Sequence, residues 1–159
     1  MRGSELIGSL DFAALRAGYR DGAFDPEAVV RAVYARIARR GSDHVWIDLV
    51  PEADALAHAR ALGRWTDASP PLFGLPFAIK DNIDLGGRPT TAACPAFAYV
   101  PTRSAPAVER AVAAGAIPIG KTNLDQFACG LVGSRSPYGA PSSALHPEYV
   151  AGGSSSGSA

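Results

Sequence analysis

Up to about residue 68 the apolar positions recur at helical spacing. Asp25-Pro26 offers a side-chain cap followed by proline in the first turn, which is a strong start signal. From there Val29, Val30, Val33, Tyr34 and Ile37 fall within one arc of a 3.6-residue period. Arg39, Arg40 and Gly41 then supply cations and a flexible residue where such a helix should end. A second, alanine-rich helix is predicted from about Glu52 to Leu62, and between the two Val45-Trp46-Ile47-Asp48-Leu49 alternates as a short strand does.

The pattern changes at Ser69-Pro70-Pro71. Glycine and proline become frequent, and short apolar runs alternate with turns. Leu75 to Ile79 is predicted as a buried strand ending at Lys80-Asp81-Asn82. Ala105 to Ala114 is predicted as a helix closed by Gly115. Ile117 to Ile119 is a second short strand, leading through Gly120-Lys121 into a helix expected to begin at Thr122 or Asn123. This order predicts an α/β layer with a largely parallel sheet. The chain therefore divides into an N-terminal helical segment, 1–68, and an α/β segment, 69–159.

Composition adds mainly exclusions. The chain has 159 residues, 47% of them apolar, enough for one domain with a real core. Fifteen acidic residues balance fifteen basic ones, so charge gives no argument for a nucleic-acid partner or a membrane surface. The four arginines between Arg31 and Arg40 lie along one helix and read as a solvated face. Cys94 and Cys129 belong to no CxxC or His-spaced set, which argues against a zinc site or a disulfide framework and fits a reducing compartment. No apolar run has the length of a signal h-region or a membrane span, so a cytoplasmic location is expected. The opening Met1 to Ser4 has the form of a vector-derived leader, without the sequence deciding the point.

Chemistry has few candidates. His44 and His58 are lone histidines and read as surface or satisfied polar residues. Lys80 follows an apolar strand, so its ammonium starts from a half-buried position. Burial disfavours the charged form of a lysine, which makes Lys80 a candidate general base; the plainer alternative is a surface ion pair with Asp81 or Asp84. The stretch Gly152 to Ala159 is nearly all glycine and serine. It is either a flexible linker or a loop whose backbone N–H groups and hydroxyls converge on a ligand, and composition does not separate the two. A serine hydroxyl with a neutral lysine forms a known alternative to Ser-His-Asp chemistry.

Three segments in register, GLPFAIKDNID (Gly74 to Asp84), GAIPIGKTNLDQFACG (Gly115 to Gly130) and GGSSSGSA (Gly152 to Ala159), resemble the amidase signature family over roughly Pro70 to Ala159. The resemblance implies the N-terminal part of that fold, a mixed, largely parallel sheet flanked by helices, with the sheet expected to be incomplete. It implies a Ser–Ser–Lys triad in which Lys80 is the base and Ser154, preceded by a cis peptide bond, is the bridging serine. It further implies a substrate pocket walled by the Gly130 to Gly139 loop, with Gly130, Leu131, Val132 and Gly133 alongside Gly152 and Gly153. The nucleophilic serine normally lies further along such a chain than Ala159, so residues 1–159 are expected to be inactive alone. The family implies no metal and no organic cofactor.

Within the family, Thr90 to Pro101 and Thr122 to Pro141 look like the allophanate hydrolase branch, which splits allophanate into ammonia and carbon dioxide in urea breakdown. Arg135 is not assigned to the substrate carboxylate, because that branch's recognising side chains are expected further on, and Cys94 and Cys129 are expected to pack rather than react. The implied partner is a small amide substrate, with a homodimer in the intact form. Two alternatives stand beside this. One is the A-type subunit of a glutamine-dependent aminoacyl-tRNA amidotransferase. That branch usually carries an acidic residue where Gln126 stands and Ser-Ser-Thr-Glu where Val132-Gly133-Ser134-Arg135 stands. The other is a non-catalytic, amidase-like binding module.

Overall fold

A computed structural model describes residues 7–159; Met1 to Ser4 lies outside the described residues. The chain forms two compact units, each of discontinuous stretches. The first comprises the residues up to Gly41 with 51–77 and 110–118; the second comprises 42–50, 78–109 and 119–159. Both draw on residues from either side of Ser69.

The first unit is mainly helical. Its α1, Phe12–Arg20, starts at Asp11, whose carboxylate accepts the Ala14 N–H at 2.8 Å. In α2, Pro26–Arg40, Asp25 caps Ala28 at 2.8 Å, Pro26 fills the first turn and Gly41 closes the helix at φ 72°. This is the helix the apolar arc predicts: Val29, Val30 and Val33 are buried, and of the four arginines only Arg36 turns inward, to the Ile7 and Gly8 carbonyls. The predicted second helix is α3, Glu52–Leu62, which packs Ala55, Leu56 and Ala59 towards α2. Tyr19 anchors the apolar interior. Its ring meets Phe24 and Phe73 edge-on at centroid distances of 5.4 Å, and its hydroxyl donates to the Gly74 carbonyl at 2.7 Å.

The sheet has three strands in the order β1-β3-β2: β1 Trp46–Leu49, β2 Pro76–Lys80 and β3 Ile117–Thr122. The boundary between units falls inside β2 and inside β3. β1 pairs antiparallel to β3, with Trp46 opposite Thr122 and Leu49 opposite Gly120. β2 and β3 run parallel, because Ile117 N–H donates to Leu75 O before the one end and Asp81 N–H donates to Thr122 O beyond the other. The helix between them, α4, Pro106–Ala113, supplies the crossover. The sheet is thus mixed, as the resemblance implies, and β3 is longer than the Ile117 to Ile119 reading because all six of its residues are buried and stay in the ladder.

The helix expected from Thr122 or Asn123 does not form. Asn123 Nδ2 donates to the His44 and Gly139 carbonyls at 2.8 and 2.9 Å, and its Oδ1 accepts the Leu124 N–H and the Ser136 hydroxyl. The N–H groups that would start a helix go elsewhere: Asp125 to Ser154 O, Gln126 to Arg135 O and Phe127 to Ala92 O. Only a 3-10 turn at Gln126–Ala128 remains, with Phe127 and Ala128 at φ 53° and 60°. Long-range partners outbid the local helical signal here.

Candidate active site

The site is built inside the second unit. Ile79 is buried in β2 and brings the strand's last residue, Lys80, out half-buried beside the glycine-serine stretch. Lys80 Nζ donates to Ser154 Oγ at 2.7 Å. The surface pairing with Asp81 or Asp84 weighed for Lys80 is not what the geometry gives, because both acids have other partners. Asp81 Oδ2 accepts the Thr91 N–H at 3.0 Å and the Thr91 hydroxyl, and its Oδ1 lies 2.8 Å from Lys121 Nζ as an ion pair rather than an aligned hydrogen bond. Asp84 accepts from Thr90 and Tyr99.

Gly152 to Ala159 is a turn-rich loop, not a loose tail. The Gly153–Ser154 peptide bond is cis, as the resemblance implies. Asp125 N–H donates to Ser154 O at 2.9 Å, and Gly157 N–H donates to Asn123 O at 3.0 Å. Ser156 is 2% exposed and its hydroxyl has no partner in the structure. Glycine is required where backbones meet. A Cβ on Gly153 would run into the Asp125 carboxylate and stand 2.7 Å from Gly133 N, and one on Gly157 would stand 2.6 Å from Asn123 N.

The wall residues read from the sequence lie beside this loop but differ in character. Gly133 is buried at φ 78°, and its N–H donates to Asp125 Oδ2 at 3.0 Å. Gly130 packs over the same carboxylate, whereas Leu131 and Val132 are 83% and 45% exposed. Gly152 takes φ 96° with open space around it. Arg135 donates its guanidinium to the Cys129 carbonyl at 3.1 Å and its N–H to Asp125 Oδ1. Cys129 departs from expectation: its thiol-bearing residue is exposed and not packed, because the turn at Phe127 and Ala128 carries it outward, while Cys94 is half-buried. His44 is exposed and hydrogen-bonded to the Tyr138 carbonyl, and His58 lies on the exposed side of α3. Among the described residues no group of three or more His, Cys, Asp or Glu could hold a metal ion, and no helix is long and apolar enough to cross a membrane.

Sequence reading missed three fully buried ionisable residues next to the site: Asp81, Lys121 and Asp125. Lys121 also donates to Pro89 O and Thr90 Oγ1, at 3.0 and 3.1 Å. Their positions, Asp81 one residue past β2, Lys121 inside β3 and Asp125 within the Thr122 to Pro141 stretch, put them near apolar runs, but nothing in the sequence shows which charges are denied solvent.

The structure thus brings a lysine amine at the end of a parallel strand into contact with a serine hydroxyl on a glycine-rich loop. Residues 28–159 match the Amidase family model, and the chain belongs to that family. It is 53% identical over 118 residues to the urea amidolyase of Saccharomyces cerevisiae, covering 74% of this chain and 6% of that protein. It is 46% identical over 124 residues to the A-type subunit of the glutamyl-tRNA(Gln) amidotransferase of Streptococcus thermophilus, covering 77% of this chain and 25% of that one. The solved allophanate hydrolase of Kluyveromyces lactis superposes with a TM-score of 0.75 at 44% identity, over 87% of this chain and 23% of its own. The chain thus spans only a small part of the relatives it matches.

Proposed function

We propose that this chain contributes the base and the bridging serine of an allophanate hydrolase, a cytoplasmic amide hydrolase acting on a small substrate. The observation that carries the reading is the 2.7 Å contact between Lys80 Nζ and Ser154 Oγ. In its neutral form Lys80 takes the proton of Ser154 Oγ while Ser154 takes the proton of an attacking hydroxyl. Run in reverse, the same relay delivers a proton to the departing nitrogen, which leaves as ammonia. The resemblance assigns the attacking hydroxyl to a serine further along such a chain than Ala159. The exposed Leu131 and Val132 and the backbone around Gly130, Gly133, Gly152 and Gly153 form one wall against which a small planar amide rests. In the intact form a homodimer is part of this reading.

The choice of branch rests on Gln126 and on Val132 to Arg135, where a transamidation subunit usually differs, together with the higher identity to urea amidolyase. The test is ammonia release from allophanate by the full-length gene product, with Lys80→Ala and Ser154→Ala. Each substitution should lower kcat by about 10²- to 10⁴-fold with circular dichroism unchanged. Substantial activity in Lys80→Ala sinks the assignment. Obligatory co-purification with a second protein, and an inert response to allophanate, would favour the amidotransferase.

A further inference from the structure

Asp125 is fully buried; its carbonyl accepts the Ala128 N–H at 2.8 Å within the local turn, while its own N–H and its carboxylate tie together the two parts of the site. Its N–H donates to the Ser154 carbonyl at 2.9 Å. Its carboxylate accepts the Gly133 N–H at 3.0 Å through Oδ2 and the Arg135 N–H at 2.9 Å through Oδ1. Gly130 and Gly153 pack so close that a Cβ on either would overlap the carboxylate. One residue therefore fixes both the peptide that presents Ser154 and the loop that presents Leu131 and Val132. A buried carboxylate needs such charge-assisted bonds, and it gains them here from two backbone donors of the wall itself.

We propose that Asp125 is a positioning residue for amide hydrolysis, setting Ser154 Oγ against Lys80 Nζ and holding the 130–135 wall in register with it. The proposal rests on the functional reading above. An asparagine conserves the volume but brings an N–H₂ group where one backbone N–H now donates, so donor faces donor and one attachment of the wall is lost.

In the full-length gene product Asp125→Asn should lower kcat about 10- to 100-fold and raise KM, as a misplacement of about an ångström does. The deciding readout is coupling. In a Ser154→Ala background the same substitution should lower kcat by no more than about twofold further, because its effect passes through Ser154. Gly153→Ala leaves the carboxylate chemically unchanged but drives a Cβ into it from the Ser154 side; it should behave alike and carries the test if Asp125→Asn does not fold. A kcat within about twofold of the parent, or an equal loss in both backgrounds, overturns the proposal. Allophanate and a simple primary amide are assayed in parallel. A parent that cleaves only the simple amide removes the allophanate reading and leaves the Asp125 test standing, while a parent inert towards both overturns both.

Discussion

Replacing Asp81 by asparagine should destabilise this protein by about 3 kcal/mol, near the lower end of what breaking a buried ion pair costs. The pair with Lys121 is 2.8 Å long and both side chains are wholly inaccessible to water. Asparagine keeps an oxygen for the Thr91 N–H, so the perturbation falls on Lys121, whose ammonium remains buried without a counter-charge. Its bonds to Pro89 O and Thr90 Oγ1 persist and offset part of the loss, which is why the lower end of the range applies.

Urea unfolding followed by circular dichroism measures this directly. With a slope of about 1–3 kcal/mol per molar urea, the midpoint should fall by about 1–3 M. Lys121→Met should cost a similar amount by stranding Asp81. The double variant Asp81→Asn, Lys121→Met strands neither charge, so its loss should fall short of the sum of the singles by about 2 kcal/mol. Singles that each lose less than about 1 kcal/mol, or a double that is additive within about 0.5 kcal/mol, would refute the account of this pair.

Two further outcomes follow from the packing. Burial, with a smaller contribution from nearby Asp25, pushes the Tyr19 phenol well above its ordinary value. The unfolded chain loses this proton near pH 10 while the folded one keeps it, so stability should fall as pH rises above that point, by about 1.4 kcal/mol per pH unit from this group. Tyr19→Phe should cost about 1 kcal/mol at neutral pH by losing the bond to Gly74 O, and should flatten that alkaline slope in thermal melts between pH 8 and 11; an unchanged slope counts against it. Gly120→Ala would put a Cβ 2.5 Å from the Asp48 carbonyl oxygen, across the β1–β3 ladder, and should destabilise by about 1–3 kcal/mol in the same urea assay, an unshifted midpoint being the contrary result.

What the sequence made legible was whatever is encoded locally. Asp25-Pro26 and Gly41 bound α2 because cap, proline and closing glycine act within one turn, and β2 and α4 lie within a residue or so of where the apolar runs put them. The contrasting case is α1, in which Gly18 weakens the helical pattern. The Phe24 ring occupies the place where a Cβ would stand, so that glycine answers to a tertiary contact and not to the helix. Residues 122–128 fail for the same reason on a larger scale. Their helical signal is local, but Asn123 is held by carbonyls 79 and 16 residues away, and Asp125 spends its N–H on Ser154. At the site, the family resemblance carried by three motifs in register, and not composition, marked Lys80 and Ser154 as partners across 74 residues. Asp81, Lys121 and Asp125 have no such mark. A carboxylate or ammonium looks the same in sequence whether it faces water or a buried partner, and only the folded chain supplies the partner. The residues that hold this site in shape were therefore hidden for a physical reason: their role lies in what the fold denies them, which is solvent.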